Sequence, residues 1–211
     1  MPEAYRTVAR MGTGEYEEKK SRFLSEVHHV ESEEEMNEVL SAVRKKHYDA
    51  RHHCYACVIG ENGAFVKSSD DGEPSGTAGH PILSVIQGEN LTDTLVVVTR
   101  YFGGTLLGTG GLVRSYTKSA KDGLLHAALI EKKPGKRLIV CADYTTFGKL
   151  RYLLESEGYT PERIDYTDKV EMSLPVPRED AETVRKKLTE ASAGRAQIED
   201  AGEIWLEEEI H

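Results

Sequence analysis

The stretch from Arg100 to Tyr116, RYFGGTLLGTGGLVRSY, constrains the fold more than any other part of the chain. It follows LVVVT at residues 95–99, an apolar, β-branched run that reads as a buried strand. Five glycines then fall at Gly103, Gly104, Gly108, Gly110 and Gly111, after which Leu112, Tyr116, Ala120, Leu124 and Ala127 recur at helical spacing. The pattern is strand, glycine-rich turn, helix, with the helix expected to begin near Gly111 or Leu112. Glycine tolerates positive φ and lets backbone amides come close to a ligand. A helix start adds unpaired N–H groups and a partial positive charge. With Arg100 at the strand end and Arg114 in the first helical turn, this describes an anion site suited to phosphate. Tyr101, Phe102 and Tyr116 would stack bases or pack a partner beside it. Two standard phosphate loops are excluded, because there is no GxxxxGK[ST] and the glycine spacing does not fit GxGxxG. A glycine turn that only packs helix against sheet is the plain alternative.

Charge sharpens the reading. The net charge of −9 speaks against indiscriminate nucleic-acid binding. Between Asp93 and Asp122, however, no acidic residue occurs, while Arg100, Arg114, Lys118 and Lys121 all do. A cationic island on an acidic body therefore coincides with the glycine cluster.

A second cluster, SSDDGEPSGTAGHP at residues 68–81, crowds Asp70, Asp71 and Glu73 into four positions. Such carboxylates can hold a divalent cation or raise one pKa for acid–base work. They are equally ordinary turn formers, and Ser75 or Thr77 is suited to cap the next helix. EF-hand spacing is absent and Pro74 breaks any GxSxG elbow at Ser75, so no catalytic residue, metal site or cofactor is assigned. Cys54 and Cys57 form a CxxC on a strand-like segment, where residues three apart face opposite ways and cannot share a metal. With Cys141 they make three cysteines, an odd number that argues against a disulfide framework.

Elsewhere, residues 15–19 and 23–30 read as a hairpin turning at 20–22. SEEEMNEVLSAVRKKH is an amphipathic helix with a Ser32/Glu35 capping box. HCYACVIG and AFVKSS are strands joined at residues 61–63, and ILSVIQG is helical. The pattern restarts at Pro134-Gly135, read as a linker, giving domains at 1–133 and 134–211. The second runs βαββαβ, the ferredoxin-like order. No apolar run is long enough to span a bilayer and no secretory signal opens the chain, so a cytoplasmic protein is expected.

Three blocks resemble the bacterial YigZ/YvyE branch of the IMPACT family: Lys20-Ser21-Arg22-Phe23, the segment 69–79, and the segment 100–116. Arg51 and His53 depart from the family's A-H-N-C-x-A type segment, Leu106 stands where many members carry lysine, and Ser115 where alanine is commoner. The resemblance implies an α+β chain with an N-terminal ribosomal protein S5 domain 2-like domain and a C-terminal ferredoxin-like domain. It also implies a binding module linked to regulation of translation, with RNA, the ribosome or a ribosome-associated protein as partner and no membrane. An enzyme acting on a nucleotide or phosphorylated small molecule through Asp70, Asp71 and Glu73 is the alternative.

Overall fold

A computed structural model of the chain describes residues 3–210. It is an α+β protein that divides into two compact units, Tyr5–Glu131 and Lys132–Glu208. Among the described residues, no helix is long and apolar enough to cross a membrane.

The first unit opens with β1 (Tyr5–Arg10), then β2 (Gly12–Glu18), β3 (Ser21–His29), α1 (Glu33–Lys46), β4 (His52–Ile59), β5 (Phe65–Ser69), α2 (Gly79–Gly88), β6 (Thr94–Tyr101) and α3 (Gly108–Leu125). Strands β2-β3-β6-β4-β5 form one sheet in that order, with every registered pair antiparallel. Strand β6 is central and buried on both faces, which is why its middle, residues 95–98, is continuously apolar. Residues alternate across it. Val96 and Val98 join Phe23, Cys54 and the α2 and α3 side chains in one core, while Leu95 and Val97 join Cys57 and the α1 side chains in the other. Cys54 and Cys57 thus lie on opposite faces of the sheet, as their spacing requires.

Helix α1 keeps its cap: the Ser32 hydroxyl accepts from the Glu35 amide at 3.1 Å, and the Glu35 carboxylate accepts in return from the Glu31 amide at 2.7 Å. The β2–β3 turn is tighter than expected. Lys19 and Lys20 form it, both at positive φ, so Ser21 and Arg22 belong to β3. Strand β1 carried no clear alternation and was missed; Val8 nonetheless enters the first core.

From the end of the first unit the chain continues with β7 (Ala128–Ala142), α4 (Tyr144–Glu157), β8 (Arg163–Tyr166), β9 (Val170–Pro177), α5 (Ala181–Ala191) and β10 (Gln197–Ile210), in βαββαβ order. Strands β8 and β9 pair, β9 pairs β7, and β10 pairs β7. Pro134 and Gly135 are not a linker; they lie inside β7. The Pro134 carbonyl accepts from the Arg178 amide, and a Cβ on Gly135 would meet Leu206 Cγ at 2.7 Å. Glycine is there for close packing.

Candidate functional site

The three sequence blocks meet in one buried polar network of the first unit. Arg100 shares a face of β6 with Val96 and Val98, so alternation carries its guanidinium inward rather than to the rim. Its Nη1 donates to Glu73 Oε1 at 2.7 Å, both side chains being at least nine-tenths buried. Tyr116, from α3, donates to the same oxygen at 2.8 Å, and Cys54 Sγ donates to the Tyr116 hydroxyl at 3.3 Å. Arg100 Nη2 reaches Ser21 Oγ at 3.4 Å, and that oxygen also accepts from the Gly103 amide at 3.0 Å. The guanidinium lies 5.4 Å from the Phe23 ring centroid and 5.6 Å from that of Phe102. Burial, and then the neighbouring Cys54 and Glu73, push the Tyr116 phenol far up. The Tyr116 hydroxyl therefore keeps its proton and stays a donor, and the network serves the fold.

This corrects the expected site. Arg100 is neutralised by Glu73, and Tyr116 is fully buried, so neither reaches a ligand. Tyr101 faces the opposite side of the sheet, where its hydroxyl donates to Asp49 Oδ1 at 3.0 Å and lies 3.1 Å from His47 Nδ1. Gly103 is a packing glycine, because a Cβ there would sit 2.1 Å from the Lys20 carbonyl carbon.

The acidic loop is engaged as well. Asp70 accepts from the amides of Gly76, Ala78 and Gly79 at 2.8 to 2.9 Å, and so caps α2 from a distance. Burial alone would raise its pKa, but those amides outweigh burial and hold it below the ordinary value. The cap expected from Ser75 or Thr77 is therefore not used: Ser75 is exposed, and Thr77 Oγ1 donates to the Pro74 carbonyl. Asp71 accepts from the His53 amide at 2.7 Å and lies 3.6 Å from Arg44. The three carboxylates point to three different partners.

What remains exposed is the start of α3. The helix begins at Gly108, earlier than expected, because Gly111, Leu112, Ser115 and Tyr116 already form its buried face. Leu107 occupies the cap position and no side chain caps the helix. Gly108, Thr109 and Gly110 are exposed, and first-turn amides have no acceptor within their own helix. Gly104 and Gly108 take φ of +85° and +70°, the conformations that bend the loop into the helix. Arg114 is exposed one turn on, and Lys118 and Lys121 continue its face at helical spacing. Phe102 and Leu106 are 54% and 83% exposed. Sequence reasoning missed the Lys19–Lys20 turn, whose backbone packs against Gly103 and brings two more cations to this end of the sheet. It also missed Ser21 and Cys54 as members of the network. Lys20 and Ser21 lay within the blocks already singled out, but only the tertiary pairing discloses their roles.

Residues 19–124 match the Impact N-terminal domain, and residues 140–195 match a domain of unknown function, DUF1949. The IMPACT family member YvyE of Bacillus subtilis is 39% identical over 211 residues, covering 100% of this chain and 97% of that protein. The IMPACT family member YigZ of Escherichia coli is 34% identical, covering 85% of this chain and 89% of its own. The protein IMPACT homolog of Dictyostelium discoideum is 40% identical over 95 residues, 43% of this chain and 27% of that one. A crystal structure of a hypothetical protein superposes with a TM-score of 0.61 at 33% identity, covering 94% of this chain and 97% of that one.

Proposed function

Because the chain belongs to the IMPACT family, in its bacterial YigZ/YvyE branch, we propose that it is a non-enzymatic, cytoplasmic binding module linked to translation, contacting RNA or the ribosome through phosphates. The observation that carries this reading is the exposed, uncapped, glycine-lined first turn of α3 with Arg114 one turn along. Free N–H groups and a guanidinium are the donors that phosphate oxygens accept from. Arg114 acts without Arg100, whose guanidinium is already paired with Glu73. Lys118, Lys121 and the Lys19–Lys20 turn supply the other cations. The carboxylates of the enzymatic alternative are each bonded to protein groups, which favours binding over chemistry.

One observation favours a second reading, a ribosome-associated protein as partner: Phe102 and Leu106 expose apolar surface beside the same turn. Titrating RNA at several salt concentrations separates the two. Phosphate contact gives affinity that falls steeply with salt and weakens in Arg114→Ala, whereas an apolar protein contact survives salt and is lost in Leu106→Ser. A thermal shift with nucleotides that requires Mg²⁺ would favour the enzymatic alternative instead.

A further inference from the structure

The end of α1 meets the sheet through two histidines whose hydrogen-bond partners fix where their ring hydrogens lie. We propose that protons on His47 and His53 form a pH-sensitive latch holding α1 and the acidic loop against β3, β4 and β6. The inference stands apart from the phosphate reading of α3. Tyr101 sets the first constraint. Its hydroxyl donates to Asp49 Oδ1 at 3.0 Å, because a carboxylate only accepts. Burial, and then Asp49, push the phenol up, so that hydrogen stays in place. The Tyr101 oxygen is left to accept from His47 Nδ1, 3.1 Å away, which therefore carries a hydrogen. The other ring nitrogen, Nε2, lies 3.4 Å from Glu26 Oε1. A neutral ring would turn a lone pair toward that carboxylate; only the imidazolium suits both neighbours. His53 repeats the arrangement. Its Nε2 donates to the His47 carbonyl at 3.1 Å, and its Nδ1 faces Asp71 Oδ2 at 3.7 Å.

The surroundings favour these protons. His47 is the C-cap of α1, where the helix dipole attracts a cation. Glu15 from β2 and Asp122 from α3 line the same cleft. Three groups oppose them: Lys46 on Glu26 Oε1 at 2.9 Å, His28 on Glu26 Oε2 at 3.5 Å, and Arg44 at 3.6 Å from Asp71 Oδ1. Lys46 and Arg44 are about half exposed and screened by solvent, whereas His47, His53 and Glu26 are largely buried. What the latch holds is strained. Asp71 takes φ of +42° without being glycine. Bonds to β4 keep it there: its carboxylate accepts from the His53 amide at 2.7 Å, and its carbonyl from His52 Nδ1 at 2.9 Å. A proton favours the closed contact, so the latch is complete below the range in which histidines titrate. It is released as pH rises through that range, between about pH 5 and 8.

The test is hydrogen exchange of the full chain at about pH 5.5 and about pH 8.5, corrected for the intrinsic pH dependence of exchange. It is read on peptides spanning residues 47–53 and 70–73. In the parent, opening of both rises about ten- to hundred-fold at the higher pH, the loss of a hydrogen bond to a charged group. His47→Gln removes that rise from residues 47–53. Tyr101→Phe separates the proton from the packing. With no hydroxyl to satisfy, neutral His47 turns its one hydrogen from Nε2 to Glu26, so the contact stays closed at the higher pH with the ring in place. Asp71→Asn keeps an oxygen for the His53 amide and flattens the rise at residues 70–73 alone. Equal opening of the parent at both pH values overturns the latch. A rise that persists undiminished in His47→Gln and Tyr101→Phe also overturns it, because the titrating group then lies elsewhere.

Discussion

Removing Glu73 should unfold the first unit more readily than removing any exposed carboxylate. Its side chain is 4% exposed, its partner Arg100 is 6% exposed, and Arg100 and Tyr116 donate to the same oxygen. Burying the pair required desolvating both charges, so an alanine at position 73 strands a guanidinium among Phe23, Phe102 and the sheet. Breaking a buried pair from one side costs about 3–5 kcal/mol. Urea unfolding followed by far-UV circular dichroism reads the loss, and Trp205 fluorescence, from the chain's single tryptophan, follows the second unit separately. Arg100→Met should cost a similar amount by stranding the carboxylate. The double variant Glu73→Ala/Arg100→Met strands neither charge, so its loss should fall short of the summed single losses by about 2–3 kcal/mol. Single variants within about 1 kcal/mol of the parent, or a strictly additive cycle, would refute the claim that this pair ties the acidic loop to β6 and α3.

Further outcomes follow from other buried groups. His28 first, at 3.5 Å, and then Lys46, at 2.9 Å, hold the Glu26 carboxyl down to about 2. Its folded value lies below its unfolded one, so its contribution is complete above the ordinary carboxyl range and is lost as pH falls toward 2. Glu26→Gln should therefore be less stable by about 3 kcal/mol at pH 7, with the gap closing near pH 2 in acid-unfolding curves. Native-state thiol labelling should modify Cys141 alone, since Cys54 and Cys57 are buried and burial pushes the Cys57 thiol up to about 12. Rapid labelling of all three would contradict that burial. Gly103→Ala should cost at least about 1–3 kcal/mol by overpacking against Lys20. Gly110→Ala, which meets only Arg114 Nη1 at 3.5 Å, should add up to about 1 kcal/mol through helix propensity. Thermal melts of the pair check the contrast.

The elements whose inward face could be read from sequence are those whose burial is one-sided. Helix α1 announces itself through Ser32, Glu35 and its apolar stripe, and β9 through the alternation of Val170, Met172, Leu174 and Val176. The separation of Cys54 from Cys57 followed from period two alone. Strand β6 hid its secret for the opposite reason: a strand buried on both faces has no visible alternation, so Arg100 looked like a rim residue and is not. The hairpin turn was misplaced because Lys19 and Lys20 take positive φ without being glycine or asparagine. Asp70 caps a helix that starts nine residues later, and Glu73 turns inward from a segment that looks wholly solvated. Both depend on tertiary folding of the loop, which local rules do not reach. Of the candidate site, Arg114 and a helix start within the glycine segment were legible, although the helix begins at Gly108 and not at Gly111 or Leu112.

The most direct measurement is the slope of log affinity for single-stranded RNA against log salt, for the parent protein and Arg114→Ala. The account predicts binding that weakens steeply with salt, and a slope about one unit shallower when Arg114 is removed. Identical slopes and affinities, or no binding even at low salt, would contradict it.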